Sequence, residues 1–265
     1  MLRRPTRGGG PVAIRRCGAS TVCPPATGQR CAKGMALRLF ALGAIAVAGF
    51  AAAVYAWRGL MRRLDSAQVA DWGGKWLNRL DGLNRIWCRR FHRLHHGEIG
   101  LPAEGPALVV ANHVSGLDPL LMAAASRRPL RFLIAREQYE RPGLHGLFVM
   151  IGCIPVRRGR NPRAALSAAL KALERGEVVA LFPQGRIHLD HEPVAPLKRG
   201  VAYLARASGA PVIPVRVEGI RGAGRTVSAV FLRSHARLRH FPPLHLREGD
   251  ADRFLRRLQS MLTGK

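Results

Sequence analysis

Five short apolar segments, at residues 107–111, 131–135, 153–156, 178–182 and 212–217, are separated by stretches with helical patterning. This alternation is the mark of an α/β domain: strands buried on both faces read as near-continuous runs of Val, Ile, Leu and Ala, and the helices between them cover the sheet. Helices are expected at 119–125, 144–151, 162–175 and 197–208, with a last one at 252–262. The chain has 265 residues, 48% of them hydrophobic. That is enough for one domain with a substantial core, plus extensions.

Lys and Arg number 43 against 16 Asp and Glu, a formal charge of +27. Such an excess implies an anionic partner, and nucleic acid and an acidic membrane surface attract it by the same Coulomb physics. Lys33, Lys75, Lys171, Lys198 and Lys265 are the only lysines; the Arg, Ala, Gly and Pro richness fits GC-rich coding as well as selection. Aromatic residues make up 6% of the chain, and its tryptophans all precede the α/β region, so no base-stacking platform is evident and no nucleic-acid partner is expected. Cys17, Cys23, Cys31, Cys88 and Cys153 contain no C-x-x-C pair, which points to free thiols rather than a zinc site.

The chain divides by composition into five parts. Residues 1–34 are basic, lack acidic side chains and show no apolar periodicity, as in a disordered tail or an untranslated stretch upstream of a start at Met35. Residues 35–58 hold an uncharged run at 39–57 that, at about 1.5 Å per residue, just spans a hydrocarbon core of about 30 Å. A retained membrane anchor is the favoured reading. A cleaved signal peptide, with a site near Ala51–Ala53, and an interfacial helix are the alternatives.

From Met35 only Arg38 precedes the run, whereas Arg58, Arg62, Arg63 and Lys75 follow it, which predicts a cytosolic body at the inner or cytoplasmic membrane. Residues 59–100 interleave Trp72, Trp76, Leu80, Leu83, Trp87 and Phe91 with Arg79, Arg85, Arg89, Arg90 and Arg93. Basic amphipathic helices on a membrane surface, or a helix packed on the body, both fit this stripe. His92, His95 and His96 have no carboxylate directly beside them and read as part of a basic face rather than a metal site. Residues 101–249 form the α/β domain and 250–265 a C-terminal helix.

Chemistry concentrates in Asn112-His113-Val114-Ser115-Gly116-Leu117-Asp118-Pro119, where an apolar strand ends and a helix begins. A carboxylate on one ring nitrogen fixes a histidine's tautomer and leaves the other to take a proton from a hydroxyl. The five-residue spacing, with Ser and Gly between, lets Asp118 turn back onto His113. Alone, the same residues fit a helix cap at Asp118 and an ordinary core histidine.

Three further blocks follow in order: Gly152-Cys-Ile-Pro-Val-Arg157, Phe182-Pro-Gln-Gly-Arg186 and Val212-Ile-Pro-Val215. Together the four resemble the glycerophospholipid acyltransferase family, over roughly residues 108–241. The last two blocks look closest to the lysophospholipid acyltransferase domain of bacterial acyl-ACP synthetase/acylglycerophosphoethanolamine acyltransferases. The resemblance implies a glycerolipid acyltransferase-like domain with a central mixed sheet flanked by helices, behind the N-terminal membrane helix and basic amphipathic segment. It implies His113 as general base and Asp118 as its charge partner, and Arg157 as a phosphate contact. It further implies that Gly185, lacking a side chain, lets backbone N–H groups approach a phosphate, with Lys198 near the lipid head group.

Where the common pattern has Glu-Gly-Thr-Arg, this chain has Gln184-Gly185-Arg186-Ile187. Gln184 carries no charge and Arg186 sits one position early, which weakens lysophosphatidate relative to other lysophospholipid acceptors. The implied activity is transfer of a fatty acyl group from acyl-CoA or acyl-ACP, as co-substrate with no cofactor, to a lysophospholipid hydroxyl. A lyso-ornithine lipid or similar acceptor, or a decayed basic lipid- or nucleic-acid-binding protein, are the alternatives.

Overall fold

The computed structural model describes residues 26–96, 98–157, 162–246 and 251–264. It divides after Ala56 into two units. The first carries most of α1 (Ala26–Ala67). Within that helix Arg38–Ala67 is long and apolar enough to cross a bilayer, and Leu39, Phe40, Leu42, Ile45, Val47 and Phe50 are all exposed. The helix outruns the expected 35–58 segment at both ends. Residues 26–34 are therefore helical rather than part of a disordered tail, with Ala26, Gln29, Arg30, Ala32 and Lys33 favouring the helix despite Gly28 and Gly34. The rest of the 1–34 segment, residues 1–25, lies outside the described residues.

The second unit, from Trp57 on, is built on a seven-stranded mixed sheet. Its strands are β1 (His95–His96), β2 (Ala107–Ala111), β3 (Leu130–Ala135), β4 (Ile154–Val156), β5 (Val178–Leu181), β6 (Val212–Glu218) and β7 (Arg237–His240). Their order is β1-β7-β6-β2-β5-β3-β4, parallel throughout except for antiparallel β6 and β7.

Central β2 is buried along its whole length, and its alternation serves two cores. Val109 and Ala111 face one that holds Leu117, Leu121 and Met122 of the α3 (Asp118–Ala125) region. Leu108 and Val110 face the other, with Ala169 and Leu173 of α6 (Arg163–Glu174), Val201 and Leu204 of α7 (Gly200–Ser208) and Leu258 and Leu262 of α8 (Ala251–Thr263). The C-terminal helix is thus a layer of the domain rather than an appendage. Short helices α4 (Arg136–Tyr139) and α5 (His145–Met150) connect β3 to β4.

The basic segment upstream is packed rather than free. Helix α2 (Lys75–Ile86) buries Asp81, Gly82 and Arg85 and runs into a π turn, Trp87–Phe91, closed by His92 N–H donating to the Trp87 carbonyl at 3.3 Å. Trp76, Leu83, Arg89 and Arg90 stay exposed. Arg85, expected on a surface stripe, is 2% exposed. Its Nε donates to Asp81 Oδ2 at 2.6 Å, and its remaining nitrogens donate to the carbonyls of Ala123, Ala124 and Ser126 at the C-terminus of α3. A cation there satisfies orphan carbonyls and complements the helix dipole. Arg85→Ala leaves Asp81 a buried carboxylate without its counter-charge, held only by the N–H groups of Val69 and Ala70, so a stability loss of about 3–5 kcal/mol is expected in denaturant unfolding. An unfolding free energy changed by less than about 1 kcal/mol would contradict that role.

Leu94 and Ile99 belong to the core, and β1 pairs with β7, so the domain begins upstream of residue 101.

Candidate active site

The C-terminal end of β2 delivers His113 into a tight turn, and the turn is organised by one carboxylate. Asp118 is fully buried. Its Oδ2 accepts His113 Nδ1–H at 2.9 Å, Val114 N–H at 2.7 Å and Ser115 N–H at 2.8 Å, while Oδ1 accepts the Ser115 hydroxyl at 2.7 Å. Helix α3 has no side-chain cap, so Asp118 serves the turn and the imidazole rather than the helix that follows. Bonding at Nδ1 sets the Nδ1–H tautomer and leaves Nε2 with its lone pair. The His113 side chain is 18% exposed, and its ring lies on Phe182 at 4.1 Å between centroids. Orientation and access are therefore both in place for proton abstraction.

Asn112 and Phe182, which the sequence gives no role, also hold this turn, and Gly116, legible only as a residue that allows it, has a definite contact. Asn112 clamps β2 to β6, its amide donating to the Val217 carbonyl at 3.0 Å and accepting Val217 N–H at 2.7 Å. Gly116 donates N–H to the Arg225 carbonyl at 3.0 Å, and a Cβ there would collide with the Thr226 carbonyl. Phe182 seats the imidazole. Their only sequence signal is membership of the blocks themselves.

The third block differs from expectation. Gln184 Oε1 accepts His113 N–H at 3.2 Å, so the amide that replaces a carboxylate supports the backbone of the histidine. Gly185 N–H donates to the Phe182 carbonyl at 3.0 Å and closes the turn. The backbone conformation there favours a glycine. It sits at φ +71, and a Cβ would strike Lys198 Nζ, which lies directly over it. Arg186 is held by Glu192 at 3.2 Å.

Arg157 is exposed just past β4. Strands β4, β3, β5 and β2 are parallel neighbours, so Arg157, the Gly185–Lys198 pair and His113 share one edge of the sheet. Three strand spacings, about 14 Å in all, separate the strand before Arg157 from the strand before His113. Arg158 lies outside the described residues. His92 is buried with its ring on the Val230 carbonyl at 3.0 Å, away from any metal-binding role with His95. Burial pushes the thiols of Cys88 and Cys153 up to about 12 and about 11, so neither is a reactive nucleophile.

Residues 92–218 match the family model named Acyltransferase. Among curated proteins, the chain is 32% identical over 124 residues to a probable 1-acyl-sn-glycerol-3-phosphate acyltransferase of Mycoplasma genitalium, covering 44% of this chain and 46% of that protein. It is 23% identical over 133 residues to a 1-acyl-sn-glycerol-3-phosphate acyltransferase of Borreliella burgdorferi, covering 49% and 52%. An N-acylphosphatidylethanolamine synthase of Arabidopsis thaliana is 32% identical over 124 residues, covering 43% of each chain. The chain thus spans about half the length of the curated relatives it matches. In fold it is similar to the 1-acyl-sn-glycerophosphate acyltransferase PlsC of Thermotoga maritima, with TM-score 0.56, 20% identity, and 81% of this chain and 90% of that one covered.

Proposed function

We propose, from the match of residues 92–218 to the family model named Acyltransferase, that the chain is an acyltransferase that esterifies a lysophospholipid with an acyl group carried as a thioester. The observation that carries this reading is the His113–Asp118 pair, bonded at 2.9 Å through Nδ1 with the second ring nitrogen left to work. Nε2 takes the proton of the acceptor hydroxyl as its oxygen attacks the thioester carbonyl. The tetrahedral intermediate then collapses, the C–S bond breaks, and the proton passes from His113 to the departing thiolate. Asp118 stabilises the imidazolium between these steps. No enzyme-bound acyl group and no cofactor is needed; acyl-CoA or acyl-ACP is the co-substrate.

The acceptor phosphate is assigned to the side of His113 that carries Lys198 over Gly185 and, further along the edge, Arg157. A guanidinium and an ammonium suit a phosphate there. Arg186, engaged by Glu192, and Gln184, engaged by His113, are left out of that contact. Exposed apolar α1 supports membrane attachment, and the basic residues after residue 57 support a body on the cytoplasmic face.

The test is transfer from labelled acyl-CoA and acyl-ACP, by the full chain, to lysophosphatidate, lysophosphatidylethanolamine, lysophosphatidylglycerol and lyso-ornithine lipid. Ester product with stoichiometric thiol release is expected with at least one phosphate-bearing acceptor. Folded protein that yields no product with any pair refutes the reading.

A further inference from the structure

Beyond β6 the chain turns at Gly219 and runs as a strap to β7. Gly219 is at φ +74, and a Cβ there would strike the His235 carbonyl. Between the strap and the end of the π turn lies a cavity of about 410 Å³ whose wall includes Arg93, Arg221, Arg233, Ser234 and His235.

Arg93 adopts φ +46, the one non-glycine at positive φ among the described residues. Leu94 N–H on the Cys88 carbonyl at 3.0 Å and Ala236 N–H on the His92 carbonyl at 3.1 Å bracket it in that strained conformation. Its Nη1 donates to His235 Nε2 at 3.3 Å. None of the three guanidiniums is paired with a carboxylate among the described residues; neighbouring Glu218 is engaged by Arg216. Three unpaired cations around one concavity form a focused positive potential, and the guanidinium fork matches phosphate oxygens.

Strand order gives this cleft its place in the reaction. With β2 in the middle, Gly185, Lys198 and Arg157 lie on the β5–β3–β4 side of His113 and the cleft lies on the β6–β7 side. The strap is bonded to the catalytic turn itself: Gly224 N–H donates to the Val114 carbonyl at 2.8 Å, and the Arg225 carbonyl accepts Gly116 N–H. Two substrates must meet at His113, and one anionic group is already assigned to the opposite side.

We infer that the Arg93–Arg221–Arg233 cleft binds the phosphate groups at the nucleotide end of a coenzyme A thioester, the acyl donor. This rests on the acyl-transfer reading above. Three guanidiniums side by side suit the several phosphate groups at that end of the donor.

The test is calorimetric titration of the full chain in detergent with CoA, dephospho-CoA and glycerol 3-phosphate, repeated with the double variant Arg221→Gln/Arg233→Gln, whose side chains are exposed. The double variant is expected to weaken CoA binding by at least about tenfold. It should raise the donor KM in step, with acceptor KM and kcat unmoved, and narrow the preference for CoA over dephospho-CoA. Unchanged CoA affinity overturns the inference, as does a loss confined to glycerol 3-phosphate or to acceptor KM, which would assign the cleft to the lipid head group. Arginine-dependent CoA binding without acyl transfer to any acceptor would uphold the cleft and sink the enzyme reading.

Discussion

His113→Ala lowers kcat for acyl transfer by about 10³-fold or more, within the range a positioned general base supplies, while the protein stays folded and bound to membranes. Alanine keeps every backbone bond the position makes. Its N–H still donates to Gln184 Oε1, and its carbonyl still accepts His188 N–H at 2.7 Å. What goes is the ring on Phe182 and one of the three donors on Asp118 Oδ2. The remaining donors hold the carboxylate, so the stability cost is about 1 kcal/mol. Steady-state turnover and vesicle co-sedimentation, measured on one preparation, separate the effects. Turnover within tenfold of the unsubstituted protein removes His113 from the mechanism, and loss of vesicle binding would show that the substitution had done more than remove a base.

The sequence announced features whose determinants are local or apolar. Strand β2 is buried on both faces, so its residues had to be small and apolar, and its bounds were legible to the residue. The His113–Asp118 pair spans one turn, so spacing revealed it. Strand β7, by contrast, buries only Leu238 and exposes Arg237, Arg239 and His240, and β1 is two histidines long. Neither carries an apolar pattern, because each sits at the sheet margin.

Partners distant in sequence were equally silent. Gln184 reads as a lost carboxylate until its oxygen is found on a backbone N–H 71 positions away. Gly185 is legible as a missing side chain, but not the Lys198 ammonium that lies over it from 13 positions on. Arg85 reads as a surface residue because arginine at helical spacing usually lies there; nothing in the local pattern reports the α3 carbonyls that receive it.

Asp118 has the second large effect, and its two substitutions should part company. In Asp118→Asn the amide oxygen can take the Oδ2 position, facing His113 Nδ1–H and the N–H groups of Val114 and Ser115, while the amide nitrogen donates to Ser115 Oγ, which already accepts Leu117 N–H at 3.2 Å and loses the acceptor of its own hydroxyl proton. The turn survives and the tautomer is kept. What disappears is the negative charge beside an imidazole that, in the proposed reaction, becomes an imidazolium as the acceptor hydroxyl loses its proton. The expected result is a fall in kcat of about 10²–10⁴-fold, little change in either KM, and a stability loss of about 1–3 kcal/mol. Asp118→Ala instead strands those donors in a site with no solvent access, and is expected to unfold the turn and much of the α3 side of the core with it. If asparagine turns over at the unsubstituted rate, the buried carboxylate is a structural bracket alone; if asparagine and alanine unfold alike, the charge is holding the fold rather than the transition state.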